Sequence, residues 1–285
     1  MTVRIVTDST ADIPQEKAQA LGITIVPLIV FFGEEAYLDG IELGNAGFYE
    51  KLQTSKVSPR TSQPPPAAFQ EAYKQLIDEG ADGIISVHVS AKLSGTYQSA
   101  CTGRDSLPDD VKKIPIDIID SESVSLAMGL AIMHAAEEAQ QGASLEEIKA
   151  HLLDELARTR ILFVLDTLEY LKRGGRVGGA KALLGNLLSV KPVLSIKNGV
   201  VVAVEQPRTR SKAYGRIAQM LREMEKPEQF TIVESDAEVG QQLAQAVKQI
   251  FPSSGAIPTY KLGAVVGTYA GPGTAGIAFV IPHAR

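Results

Sequence analysis

The chain has 285 residues, with 28 Lys+Arg against 33 Asp+Glu and a formal net charge of −5. That length holds one large or two ordinary domains, and 45% hydrophobic with 21% charged residues excludes wholesale disorder. The acidic balance leaves no basic excess to displace counterions from nucleic acid, and the single Cys101 excludes an intramolecular disulfide framework and a cysteine-rich zinc site.

Met1-Thr2-Val3-Arg4 lacks the basic start and apolar run of a signal peptide. The apolar run 23–32 is interrupted by Thr24 and Pro27 and is too short to span a bilayer. With one free cysteine this fits a reducing compartment, and a soluble cytoplasmic protein is expected.

In chain order, residues 3–6 predict a β-branched strand running into Asp8-Ser9-Thr10, and Pro14 opens a helix to about Leu21. Residues 23–32 predict a second strand, and Asn45 a helix cap. The Pro-rich stretch 58–66 predicts a constrained loop. Phe69, Tyr73, Leu76 and Ile77 then recur at helical spacing. Strands are expected at 83–89 and 114–119. Residues 124–139, apolar on nearly every face, predict a helix buried between other elements. Ser144 and Glu147 have capping-box spacing ahead of another helix.

From 159 the grammar changes. A strand is expected at 161–165, then a short helix and a glycine-rich loop at 173–179. Asn198-Gly199 between two β-branched runs is the strongest hairpin signal in the chain. Helices are expected at 212–224 and 239–250, with strands at 230–234, near 261–265 and at 276–281. The fold class is therefore α/β with two lobes, 1–158 carrying a mostly parallel Rossmann-like sheet and 159–285 an α+β arrangement, with any ligand between them.

Three hydroxyl clusters fall after strands or at helix starts: Ser9-Thr10, Thr61-Ser62 and Ser94-Gly95-Thr96. Hydroxyls beside unpaired helix N–H groups suit an anion. None of the clusters contains Lys or Arg, which points to a carboxylate before a polyphosphate. Each cluster alone is equally a set of helix caps.

Gly271-Pro272-Gly273-Thr274-Ala275-Gly276 matches the dinucleotide pattern literally but precedes a strand and the chain end, so it predicts a tight turn. The loop 173–179 is not a Walker loop. Its Arg173 and Arg176 sit among glycines and are expected in solvent. A Ser94–His88 contact would make a serine hydrolase or acyltransferase, although no G-x-S-x-G elbow is present. The four histidines are scattered, without a metal-ligand motif, so neither metal nor cofactor is expected.

Several segments, in order, give the chain a more specific likeness. Val6-Thr7-Asp8-Ser9-Thr10-Ala11-Asp12, Thr61-Ser62-Gln63-Pro64, Lys92-Leu93-Ser94-Gly95-Thr96-Tyr97-Gln98-Ser99-Ala100, Leu171-Lys172-Arg173-Gly174-Gly175-Arg176 and Gly271-Pro272-Gly273 together resemble the DegV family of fatty-acid-binding proteins from end to end. The resemblance implies a long-chain fatty acid, for example palmitate-like, between the lobes, with Thr61 and Ser94 bonding its carboxylate. Ser62, Gly95, Thr96 and Tyr269 stand beside them in the implied ligand set. Some members serve as the lipid-binding subunit of a fatty acid kinase, in which a separate ATP-binding protein forms an acyl phosphate. In that role Arg173, Arg176, Arg208 and Arg210 are the residues for phosphate or partner contact. Many members carry His in a G-T-H-x-G-P-G pattern where this chain has Tyr269. A phenol can donate a hydrogen bond to an anion but offers no imidazolium proton near neutral pH.

Overall fold

The structure, a computed structural model, describes residues 2–283 except 110, 187–189, 225, 226, 228, 253 and 254, and only the backbone of 184–186. The first half runs β1 (Val3–Asp8), α1 (Gln15–Leu21), β2 (Ile23–Val26), β3 (Ile29–Phe32), β4 (Glu35–Leu38), α2 (Asn45–Thr54), β5 (Arg60–Ser62), α3 (Pro66–Asp78), β6 (Gly83–His88), α4 (Thr96–Asp105), β7 (Ile116–Asp120), α5 (Leu126–Gln140) and α6 (Leu145–Arg158). The second half runs β8 (Thr159–Val164), α7 (Glu169–Arg173), a 3-10 stretch Gly178–Asn186, β9 (Val193–Lys197), β10 (Val200–Glu205), α8 (Arg210–Glu223), β11 (Gln229–Glu234), α9 (Ala237–Ile250), β12 (Thr259–Lys261), α10 (Ala264–Ala270) and β13 (Ala275–Val280).

The four strands β2-β1-β6-β7 form one parallel sheet. Its central strand β6 is buried along its whole length, as expected of a parallel strand covered on both faces. A second, six-stranded sheet has the order β10-β9-β8-β13-β11-β12 and is antiparallel except for β11 with β12. The two-lobed α/β class read from the sequence is therefore the class observed. A small antiparallel sheet, β4-β3-β5, completes the set.

Local signals explain much of this. Ser144 and Glu147 form both halves of the capping box at α6. Asn198 and Gly199 both take positive φ, 51° and 74°, which is what a tight hairpin turn needs. Helix α5 is buried at almost every position of its first three turns, and it packs on β1 and on β8.

Three expectations are corrected. The single strand at 23–32 is two strands in different sheets, because Pro27 has no N–H to continue a ladder. The Pro-rich stretch 58–66 contains the edge strand β5, short enough to fit between prolines. The strand expected near 261–265 ends at Lys261, and Ala264-Val265-Val266 begins α10. A β-branched pair misleads there because Gly263, in extended backbone, starts the helix (φ −67°, ψ 165°).

Candidate functional site

Strand β5 brings the first cluster into place. Thr61 pairs with Val30 in the small sheet, and its Oγ1 lies 2.6 Å from the Tyr269 hydroxyl of α10. The second cluster lies in the turn between β6 and α4. Ser94 Oγ is 2.9 Å from Thr96 Oγ1 and accepts the Thr96 N–H at 3.3 Å. The two turns touch, since a Cβ on Gly95 would fall 2.9 Å from the Gln63 amide.

The glycine-rich loop after α7 closes the ring. Arg176 Nε donates to Leu93 O at 3.2 Å and Nη1 to Gly174 O at 2.5 Å. Its guanidinium carbon stands 4.8 Å from the centre of the Tyr269 ring. A Cβ on Gly174 would collide with that ring, so the glycine lets the backbone lie against the tyrosine.

These groups sit at the polar end of an interior space that opens through a mouth. Its walls come from both lobes and are mostly apolar: Leu28, Val89 and Val124 on one side, Phe163, Leu165 and Ile196 on the other, with α10 between. Leu93, Val124, Phe163 and Val266 line it while remaining only half-buried. Thr10 also lines it, but its hydroxyl is 2.5 Å from Asp8 Oδ1. The hairpin tip is fastened across the lobes: Ser90 Oγ donates to Gly199 O at 2.8 Å, and Lys92 Nζ donates to Asn198 O at 2.8 Å.

Outside this space lies a second one. Thr61, Arg176 and Tyr269 border both, and Arg60, Arg173 and Tyr170 border only the outer one. Arg173 bonds Ser58 Oγ at 3.0 Å and Glu169 at 3.3 Å. Arg60 lies over the Phe31 ring at 4.7 Å.

The structure thus gathers Thr61, Ser94, Arg176 and Tyr269 at the inner space, with Gly95 and the buried Thr96 directly behind Ser94. Ser62 Oγ instead donates to Gln63 O at 3.2 Å. Arg208 is exposed, and Arg210 bonds Asp166 at 2.8 Å; neither borders either space. The solvent position expected for both loop arginines holds for Arg173, which is exposed, and not for Arg176, which is half-buried against an aromatic ring. Sequence reasoning missed Gln63 and Arg60, both neighbours of residues it named. Strand alternation in β5 was the available signal, hidden by its prolines.

His88 is not available to Ser94. Its Nδ1 is 3.0 Å from Asp8 Oδ2 and its Nε2 2.7 Å from Ser86 Oγ, and all three side chains are fully buried. Ser86 Oγ is in turn 2.8 Å from Tyr73 OH. No cluster of three or more potential metal ligands occurs among the described residues.

The arrangement can hold an amphipathic anion. Hydroxyls and a guanidinium donate to a carboxylate, and the walls take an apolar tail. Fold and site define a two-lobed α/β protein with a largely apolar cavity that opens at a polar mouth. The family model described as "Uncharacterised protein, DegV family" matches residues 2–281. The chain belongs to the DegV family. It is 38% identical to Protein DegV of Bacillus subtilis over 283 residues, 97% of this chain and 98% of that one. It superposes on the fatty-acid-binding DegV family protein of Thermus thermophilus with a TM-score of 0.88 and 35% identity, covering 99% of this chain and 100% of the other. The stearic-acid-binding protein of Eubacterium ventriosum gives a TM-score of 0.87 at 26% identity, covering 98% of each chain.

Proposed function

We propose that the chain binds a long-chain fatty acid, palmitate-like in length, with its tail in the inner space and its carboxylate at Thr61, Ser94, Gln63, Arg176 and Tyr269. The observation that carries this is an apolar interior with hydroxyl, amide and guanidinium groups gathered at one end. The fatty-acid-binding relatives from Thermus thermophilus and Eubacterium ventriosum support it. Each buried methylene contributes about 0.8 kcal/mol, so the tail supplies affinity and the polar end sets orientation.

The protein is not itself an enzyme in this reading. It works in the cytoplasm as the lipid-binding subunit of a fatty acid kinase, offering the carboxylate to a separate ATP-binding protein. A carboxylate oxygen attacks the γ-phosphorus, the bond to the bridging oxygen breaks, and ADP leaves with that oxygen. The outer space, bordered by Arg60, Arg173 and Arg176, receives the transferring phosphate and faces the partner. Arg208 and Arg210 then belong to a wider docking surface. Tyr269 holds the carboxylate through its hydroxyl and takes no part as an acid.

The rival serine hydrolase or acyltransferase finds less support. The Ser94 hydroxyl has hydrogen bonds only to Thr96 among the described residues, and the histidine it would need is committed to Asp8 and Ser86. Denaturing mass spectrometry of protein purified from bacteria tests the choice. Stoichiometric free fatty acid is expected. A lipid-free protein that hydrolyses a long-chain ester, and loses that activity on Ser94→Ala, would reverse the ranking.

A further inference from the structure

Helix α10 is a wall of the cavity, contributing Val265, Val266, Tyr269 and Ala270. Its start is held by two carboxyl groups from the other half of the chain. Asp12 Oδ1 accepts the Gly263 N–H at 2.9 Å, and Asp12 Oδ2 accepts the Ser125 hydroxyl at 2.5 Å. The Asp39 carboxyl lies beside it, close to the backbone N–H groups of Ala264 and Val265 and to the Ser9 hydroxyl. The approach is close: a Cβ on Gly263 would sit 2.6 Å from Asp12 Oδ1, so only glycine fits. Both acids are nearly inaccessible, at 7% and 5% exposure.

We propose that Asp12 and Asp39 form a proton-sensitive latch on α10, positioning residues through which rising pH loosens one wall of the cavity together with its tyrosine. The inference rests on lipid binding in the cavity for its functional meaning, and on the burial of both acids beside the buried Asp8 for its mechanics, which the bonds from Ser125 and Gly263 to Asp12 oppose only in part.

The charges facing the latch are mostly negative. Asp8 of β1 acts on both carboxyl groups. Tyr49 of α2 is buried beside them without a hydrogen-bond partner for its hydroxyl, and Asp236 at the start of α9 acts on it too. Lys261 of β12 borders the same groove, with its ammonium 2.7 Å from Glu234. Lys17 of α1 lies over the Tyr260 ring. Burial is the first cause that raises Asp12 to about 8, with Asp39 and Asp8 adding to it. Burial likewise raises Asp39 to about 6.

The sign follows from linkage. The latched state keeps protons that a solvated carboxylic acid releases near its ordinary value, so the latch is strongest below that value. It weakens as pH rises through about 6 for Asp39 and about 8 for Asp12. A protonated Asp12 can donate to Ser125 while still accepting from Gly263. Asn reproduces that pattern without a charge. It also suits the left-handed backbone of Asp12, whose φ is 54°.

The test follows hydrogen exchange of the amides at 263–270 from pH 6 to 9, corrected for intrinsic rates, alongside release of the fluorescent fatty acid cis-parinaric acid. In the wild type, protection should fall roughly tenfold between pH 7 and pH 9, and lipid release should accelerate in step. Asp12→Asn should flatten the slope across the whole range, and Asp39→Asn only a smaller part of it below pH 7. A flat wild-type profile, or one that Asp12→Asn leaves unchanged, overturns the latch. Exchange that follows pH in a protein that binds no parinaric acid would keep the latch and remove the lipid reading. Lipid binding with pH-independent exchange would do the reverse.

Discussion

Two polar clusters lie within the same molecule and look alike on paper. One is the chain Tyr73–Ser86–His88–Asp8, whose links are 2.7 to 3.0 Å long and whose members are fully buried. The other is Thr61, Ser94, Arg176 and Tyr269 at the end of the cavity. The first has the residue types and spacing of a nucleophile, base and acid, yet no substrate can reach it. Each member is bonded to the next, and Asp8 also accepts from the Thr10 and Val89 N–H groups. The second has fewer internal bonds, and it borders space. Good geometry among catalytic residue types is therefore weaker support for a proposed site than polar groups that border an apolar void. A satisfied network contributes structure, and an unsaturated one is what a ligand completes.

The largest expected effect breaks the first cluster. Asp8→Ala leaves the donors of Thr10, His88 and Val89 buried without an acceptor, which should cost about 3–5 kcal/mol of folding stability. Urea unfolding measures it; a loss below about 1 kcal/mol would mean that water reaches these groups. Lipid affinity of the fraction that remains folded should change little.

At the second cluster the effects move from stability to binding. Val124→Phe fills the inner space, so fatty acid affinity should fall by about thirtyfold or more, the equivalent of a few displaced methylenes, while the melting temperature holds or rises. Thr61→Ala combined with Ser94→Ala removes two neutral donors. Each hydrogen bond to a charged group is worth about 1.5–3 kcal/mol, so affinity should drop at least tenfold by titration calorimetry. Unchanged affinity in the double variant would place the carboxylate elsewhere.

The arginines separate the inner space from the outer. Arg176→Glu should weaken lipid binding by about tenfold, because the new charge faces the carboxylate. Arg173→Glu should leave lipid binding within about twofold and reduce phosphorylation by the kinase partner. That coupling should be strongly salt-dependent in the wild type, since exposed charges are screened within about 8 Å. Equal loss of lipid in both variants would erase the distinction between the two spaces.

The smallest effect lies outside both clusters and serves as a control. Glu155, 2.8 Å from His134 Nδ1, raises the His134 imidazole above its ordinary value. The pair therefore stabilises the fold at acidic pH, and that contribution is lost as pH rises through the raised value. Because the histidine is over a third exposed, it should amount to less than about 1 kcal/mol. Glu155→Gln should flatten this part of the stability profile without touching lipid affinity.

Most of the architecture was legible in the sequence because local chemistry and tertiary context agree. The capping box at Ser144, the Asn198-Gly199 turn and the all-apolar pattern of α5 each have one physical reading. What was hidden depended on distant partners. Strand β5 forms because β3 offers it an edge, and no propensity within Arg60-Thr61-Ser62 announces that. Helix α10 starts where it does because Asp12, more than two hundred residues away, accepts the Gly263 N–H at its cap. The hydroxyls of the site were visible as types, but cavity walls and core share one apolar vocabulary. Only folding distinguishes Phe163, which lines the space, from Phe69, which is wholly covered.

Helix α5 has a consequence for how the chain can come apart. A single apolar cluster runs from Ile5 and Val87 through Leu130 and Ile132 to Ile161, Leu194 and Val280, so both sheets share one interior. Cutting at Thr159 would therefore expose a contiguous greasy face on each fragment. The separated halves should aggregate or associate when expressed alone, and the intact chain should melt in one calorimetric step, with van't Hoff and measured enthalpies in agreement. If the chain does melt in one step, the seam offers no hinge, and the proposed lipid is expected to enter by local fraying at the rim instead of by a clamshell opening.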